Sequence, residues 1–348
     1  MTTKSNTTIA LITDSHFGVR KGSQVFHDYF EKFYNDVFFP ELDRRGIDTL
    51  IHLGDTFDVR KGIDYWSLQW AKRVFFDPFK ERGIKVYIIV GNHDIFYKTS
   101  LRLNSGMNLT EYDNITLIDA PQTLTIKGER IFMVPWLCEG SAELFMEERN
   151  DTNALVAMGH LELAGFYANQ SYQCQHGTDP RQFSRFQMVF SGHFHKRDTR
   201  GNITYLGNPY QLYWNDEGEA RGFGIYDVVT RELELVDNPY TMFNKVYYNE
   251  DKQKLFNPNK FKDSYVKIIV EKSTPGRLST FVDKLYEVGI HDLKIIENIE
   301  TSIDDDVNIE AEDTLTTLTN YVSAMESPLD KENIVNIFKS LYVEAQEV

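Results

Sequence analysis

One arrangement, repeated five times, constrains this chain more than any other feature: a short apolar run passes without a spacer into glycine, aspartate, asparagine or histidine. Lys85–Val90 runs into Gly91-Asn92-His93-Asp94, and Ile9–Thr13 into Asp14-Ser15-His16. Asp48–Leu53 delivers Gly54-Asp55, with Asp58 close behind. Ala154–Met158 ends at Gly159-His160, and Phe186–Phe190 at Ser191-Gly192-His193-Phe194-His195. A short apolar run bounded by turn chemistry reads as a buried strand. Strands that end this way bring lone-pair donors to one sheet edge. Helical spacing fills the gaps, with Phe26, Phe30, Phe33 and Val37 in Gln24–Arg45 and Gly46 as its C-cap. Tyr65–Arg82 is a second helical stretch, interrupted at Pro78 and closed by Gly83. Strand and helix in alternation predict an α/β layered fold with its site at strand C-termini.

The rest of the chain extends this pattern. Ile115–Ile118 reads as a short strand, Gln122–Val134 as a hairpin turning at Lys127-Gly128, and Glu139–Arg149 as an exposed helix. Gly165–Arg185, polar and aromatic without a period, reads as a loop overhanging the site. Ile203–Leu206 ends at Gly207-Asn208-Pro209, and Gly222–Val236 forms a closing hairpin. Near Pro239 the composition shifts to a small α/β unit, with strands at Tyr265–Glu271 and Leu293–Ile299 and a helix at Pro275–Val288. Acids crowd Ser302–Asp313, and two apolar-faced helical stretches broken at Pro328 finish the chain. The expected divisions are 1–240, 241–300 and 301–348.

A net charge of −15 argues against a broad basic surface for nucleic acid, though not against an enzyme whose metals receive phosphates. Two cysteines, Cys138 and Cys174, are too few for a disulfide framework and read as free thiols in a reducing compartment. Met1–Thr8 lacks an apolar leader, and no run approaches a membrane span, so the expected location is the cytoplasm. His52 lies inside its strand and reads as a packed core histidine. His27, His176 and His291 belong to no motif and read as packed or exposed.

The collected donors are Asp14, His16, Asp55, Asn92, His160, His193 and His195. Carboxylate and imidazole together suit manganese, iron or zinc better than calcium, and the absence of thiolates argues against a structural zinc site. Two ions about 4 Å apart need a bridging carboxylate, for which Asp55 is the choice. His93, outside the ligand set, is left to contact a phosphate or protonate a leaving oxygen, with Asp94 orienting its ring. No Gly-x-x-x-x-Gly-Lys-[Ser/Thr] loop is present, so the chain is not itself a P-loop ATPase.

With these residues in order, the sequence resembles the calcineurin-like metallophosphoesterases over most of residues 9–240. Gly-Asp-Thr-Phe-Asp-Val-Arg-Lys, Gly-His-Leu-Glu-Leu-Ala-Gly-Phe and Ser-Gly-His-Phe-His narrow the resemblance to the SbcD-type DNA-repair nucleases, phage members included. It implies a layered β-sandwich flanked by helices, a small α/β capping domain and a helical C-terminal tail. It implies one ion on Asp14, His16, Asp55 and His195 and another on Asp55, Asn92, His160 and His193, with manganese favoured and magnesium an alternative. The family acts as dimers on DNA ends, by exonuclease or endonuclease cleavage, with an SMC-like ATPase that the C-terminal helices would bind. Asp58 stands where many cellular members carry a histidine near the phosphate. Two other readings remain: the same chemistry on a non-DNA phosphoester, and a non-catalytic scaffold on this fold.

Overall fold

The apolar runs become strands, and the strands sort into two large sheets. In chain order come β1 (Thr8–Ile12), β2 (Thr49–His52) and β3 (Lys85–Ile89), then a small hairpin of β4 (Ile95–Tyr97) and β5 (Ser100–Asn104), then β6 (Ile115–Ile118). Next are β7 (Gln122–Ile126), β8 (Glu129–Val134), β9 (Val156–His160), β10 (Met188–Gly192), β11 (Asp198–Arg200) and β12 (Ile203–Tyr205). The last two are β13 (Gly222–Asp227) and β14 (Leu233–Asp237). One sheet has the order β14-β13-β1-β2-β3-β6 and the other β11-β12-β10-β9-β8-β7. Their central strands are parallel, which gathers the C-terminal ends of β1, β2 and β3 along one edge and those of β9 and β10 along another. The computed structural model describes residues 6–169, 172–252 and 256–297. The acidic stretch and helices expected over 301–348 lie outside the described residues.

Alternation along each strand sets the layers. Ile9, Leu11, Ile51 and Ile89 face the second sheet, where they meet Met133, Met158 and Phe190. Ala10 and Ile12 point the other way, into an aromatic layer with Phe30, Phe33, Phe38, Trp70 and Phe75 from the early helices. The outer face of the second sheet, through Phe132, Ala157 and Val189, packs on Phe145, Phe183 and Phe186. The result is helix, sheet, sheet, helix, the layered sandwich expected of the sequence.

The first helical stretch is α-helical at Gln24–Phe33 and Phe39–Arg45, with a π-turn at Tyr34–Phe38, and Gly46 (φ 63°) closes it in the left-handed region. The second runs Tyr65–Ala71, a π-turn at Lys72–Phe76, then Asp77–Glu81, capped by the Asp64 carboxylate accepting from Ser67 N. The break expected at Pro78 does not occur. Pro78 opens the last segment just after the π-turn, where a missing N–H costs least. Phe30 stacks on Tyr210 at 3.7 Å, and the Tyr210 hydroxyl donates to Ser15 O (2.7 Å), so the aromatic layer holds the loop between Asp14 and His16.

One further expectation changes. Gly165–Arg185 does not overhang the site as a loose loop: Phe166, Cys174 and Phe183 are buried in the outer layer, and Cys174 N donates to Phe166 O. The free energy of burying those apolar side chains outweighs the segment's polar average. The helix Glu139–Asp151 is exposed except along Ser141 and Phe145. Beyond Pro239, β15 (Phe243–Asn249), β16 (Tyr265–Lys272) and β17 (Asp292–Glu297) form a parallel sheet with the helix Pro275–Glu287. Phe243 joins it to the aromatic layer by packing on Phe26 and Trp214. Cys138 and Cys174 are both free. Among the described residues, no helix is long and apolar enough to cross a membrane.

Candidate metal centre

The loops leaving β1, β2, β3, β9 and β10 converge where the edges of the two sheets meet. Asp14 (φ 52°), His16 (φ 44°), Asp55 (φ 54°) and His193 (φ 87°) all adopt the left-handed backbone. For a residue with a Cβ this costs about 1–2 kcal/mol each, and neighbouring hydrogen bonds hold it in place. Asp14 N donates to Gly54 O (2.9 Å), His16 N to Asp55 O (3.1 Å), and His193 N to the Asp14 carboxylate (3.1 Å). Gly91 lies so close to Asp55 that a Cβ would overlap both its Oδ1 and its backbone nitrogen. That approach lets His93 N donate to Asp55 Oδ1 at 2.8 Å.

All seven donors expected from the sequence come together here. In three overlapping clusters, Asp14–His16–His195, His16–Asp55–His93 and Asp55–His160–His193, the donor atoms lie within 4.8 Å of one another. His16 and Asp55 each belong to two of them, and of the two only Asp55 offers a pair of oxygens. Its Oδ2 is 3.3 Å from His160 Nε2 and 3.8 Å from His16 Nε2. Asn92 Oδ1 sits 2.9 Å from both His160 Nε2 and His193 Nδ1, and His16 Nε2 lies 3.1 Å from His195 Nε2.

This donor set fits divalent cations. His160 Nδ1 donates to Leu53 O (2.8 Å), so Nε2 faces the amide oxygen of Asn92 (2.9 Å) and the Asp55 carboxylate (3.3 Å). Acceptors gathered around Nε2 call for a positive charge there, which a proton on the ring supplies without metal and a divalent ion would supply when bound. Electrostatics agree in direction. Burial by itself would depress His16 and His160, yet Asp58 and Asp55 beside the first and Asp55 beside the second lift each to about 9. Burial would raise Asp55, but His160 and His93 hold it well below the usual carboxylate range. Asp14 is raised by burial, whereas His195 is depressed by burial, His16 and Arg221.

His93 and Asp94 part company. The His93 ring is oriented by a backbone group, its Nδ1 donating to Asp58 O at 2.6 Å, so Nε2 is left for the site. Asp94, expected to orient that ring, accepts instead from Thr56 N (3.1 Å), Gly91 N (3.0 Å) and Ser105 Oγ (2.8 Å). It is buried, and with Phe57 N (3.4 Å) four backbone and hydroxyl donors claim its oxygens, so it ties the β2 and β3 loops together. Asp58 is the residue underestimated from sequence: its carbonyl holds His93, and its carboxylate lies 3.2 Å from His16 Nδ1. The Asp55-x-x-Asp58 spacing on a turn carried that signal. Glu162 was also missed; its Oε1 stands 3.8 Å from His193 Nε2, on the ring edge away from Asn92.

Two facing sheets carry nitrogen and oxygen donor clusters, linked through His16 and Asp55, at parallel strand ends, and the family match makes this a metal-dependent phosphoesterase. Residues 7–197 match the calcineurin-like phosphoesterase family, and the chain belongs to it. It is similar to "Exonuclease subunit 1" of Enterobacteria phage T4, 31% identical over 309 residues that cover 87% of this chain and 89% of that one. It is also similar to "DNA double-strand break repair protein Mre11" of Methanocaldococcus jannaschii, 25% identical over 95% of this chain and 93% of the other. These relatives place it in the SbcD/Mre11-type branch. A shorter likeness, 33% over 28% of this chain and 35% of the other, is to UDP-2,3-diacylglucosamine hydrolase of Aeromonas salmonicida.

Proposed function

We propose that this chain is the nuclease subunit of a DNA-end-processing complex that acts in recombination and double-strand break repair. One divalent ion, manganese in preference to magnesium, is assigned to Asp14, His16, Asp55 and His195, and a second to Asp55, Asn92, His160 and His193. When bound, the pair supplies Lewis-acid polarisation of the phosphate and a water of lowered pKa. The protein's own part falls to residues around it. His93, fixed through Nδ1 by Asp58 O, presents Nε2 to bind the phosphate or protonate the leaving oxygen. Gly91 and the backbone of His93 set the position of the bridging carboxylate.

The observation that carries this reading is that Asp55 Oδ2 lies 3.3 Å from His160 Nε2 and 3.8 Å from His16 Nε2, one member of each assigned set, while His93 Nδ1 is held by the carbonyl of Asp58. DNA as substrate is supported by similarity to the phage exonuclease subunit and to Mre11, over nearly the whole of all three chains. Residues 1–240 are assigned to the nuclease, 241–300 to a cap, and 301–348 to docking an SMC-like ATPase, with the nuclease a homodimer in the host cytoplasm. Manganese-dependent digestion of end-labelled duplex, with and without the ATPase, tests the proposal. Failure to cut single-stranded or duplex DNA under both conditions would falsify it. The likeness to UDP-2,3-diacylglucosamine hydrolase favours a second reading, a non-DNA phosphoester, which efficient turnover of a chromogenic phosphodiester with DNA untouched would select.

A further inference from the structure

Gly207-Asn208-Pro209 follows β12 as the other motifs follow their strands, yet none of its side chains belongs to a donor cluster. Asn208 is fully buried, and its neighbours explain why. The carbonyl of His195 accepts from Asn208 N (3.3 Å) and from the Arg221 guanidinium, whose same nitrogen also reaches Asn208 Oδ1. Arg221, 4% exposed, is pinned by Asp216 Oδ1 (3.0 Å) and Glu219 Oε2 (3.4 Å). Asp216, itself buried, also accepts from Leu212 N (2.7 Å) and Tyr213 N (3.0 Å). Gly207 (φ +70°) lies where a Cβ would stand 2.7 Å from His195 O.

A buried guanidinium with two carboxylates gives little net stability over an apolar filling of the same space. What such a network supplies is geometry: a planar fork with both ends occupied holds one carbonyl in one place. The other donors hang on other supports. His160 is held by Leu53 O, His193 by the Asp14 carboxylate through its backbone N–H, and Asn92 lies in the turn after β3.

We propose that Arg221, seated on Asp216 and Glu219 and joined by Asn208 and Gly207, is a positioning residue that sets His195 and thereby tunes the Asp14–His16–His195 ion site separately from the Asn92–His160–His193 site. The inference rests on the two-ion reading above. Supports of this kind typically alter metal affinity about 10- to 100-fold.

Manganese titration of the full-length protein, followed by calorimetry and by the paramagnetic resonance of the ion, tests it without any substrate. Wild-type protein should take up two ions and show the coupled signal of a pair. Arg221→Gln should bind one ion with wild-type affinity and the other at least 10-fold more weakly, giving an isolated-ion spectrum at low loading. Arg221→Lys should not rescue, because one ammonium cannot reproduce the fork. Should Arg221→Gln fail to fold, Gly207→Ala probes the same carbonyl without leaving a buried charge unpaired, and the same selective loss is expected. Two wild-type ions with equal losses at both sites, or no loss, in the folded variants overturns this inference alone. Fewer than two ions in wild-type protein overturns the two-ion reading and this inference with it.

Discussion

At the scale of single residues, His93 and Asp55 differ in kind although their atoms touch. His93 holds no required place among the assigned ligands, so His93→Gln is expected to keep fold and manganese stoichiometry while turnover falls about 10²- to 10⁴-fold. Asp55→Ala should lose both manganese uptake and turnover. Metal content beside single-turnover rates checks the pair, and a fully active His93→Gln would remove the role assigned to that ring. Asp94 separates from both. Removing its carboxylate strips partners from Thr56 N, Gly91 N and Ser105 Oγ, so Asp94→Ala should destabilise the protein by about 2–4 kcal/mol. In denaturant titrations that loss should appear while the pH profile of turnover keeps its shape. The sequence made the site's donors legible because each is a side chain of telling chemistry directly after an apolar run. It misassigned Asp94, and undervalued Asp58, because their partners here are backbone groups, which carry no residue identity.

Among the elements, β2 shows what it costs to run a strand through a metal layer. His52 is fully buried, with Gly54 N donating to its Nδ1 (3.2 Å), so its Nε2–H points to Ser15 Oγ (2.8 Å). Burial holds its pKa down at about 3, with His160 adding to the effect. In the unfolded chain a histidine titrates near about 6.5, so the unfolded state takes up the proton first. Stability is therefore complete above roughly pH 6.5 and declines as pH falls towards 3, by roughly 2 kcal/mol at pH 5 from this residue. His52→Gln should flatten that part of the slope, measured as unfolding midpoints at pH 7 and pH 5; an unchanged slope would assign the acid sensitivity elsewhere. The burial of His52 follows from its place within a run of apolar residues. β15 was not legible, because its buried positions, Phe243, Val246 and Tyr248, break the period-two pattern. Pro78 misled for a related reason: a π-turn has no sequence signature that separates it from a helix end.

For the whole molecule, the convergence of acceptors at the sheet edges predicts that cation and fold stabilise each other. Manganese at 100 times its dissociation constant should add about 2.7 kcal/mol per site, raising the thermal midpoint by several degrees. A chelator should reverse the rise, and Asp55→Ala should show none of it; a midpoint indifferent to manganese would count against the donor set. Alternating strands and helices made an α/β layered fold legible, whereas the two-sheet sandwich flanked by helices followed from the family resemblance. The packing of Gly165–Arg185 was not, since a few buried aromatics decide it against the average of the segment.

The order of strands within the sheets also orders events in time. β1 lies between β2 and β13, pairing Thr8 with Asp227 and Ala10 with Leu50, and His16 meets its imidazole partner His195 from 179 residues away. During synthesis the chain therefore exposes Asp14 and His16 long before it has made His193 or His195, and β1 keeps a bare edge until Gly222–Asp227 has left the ribosome. An incomplete chain holds fragments of the donor set but no site. The donor set is therefore completed only when the loop after β10 has been made.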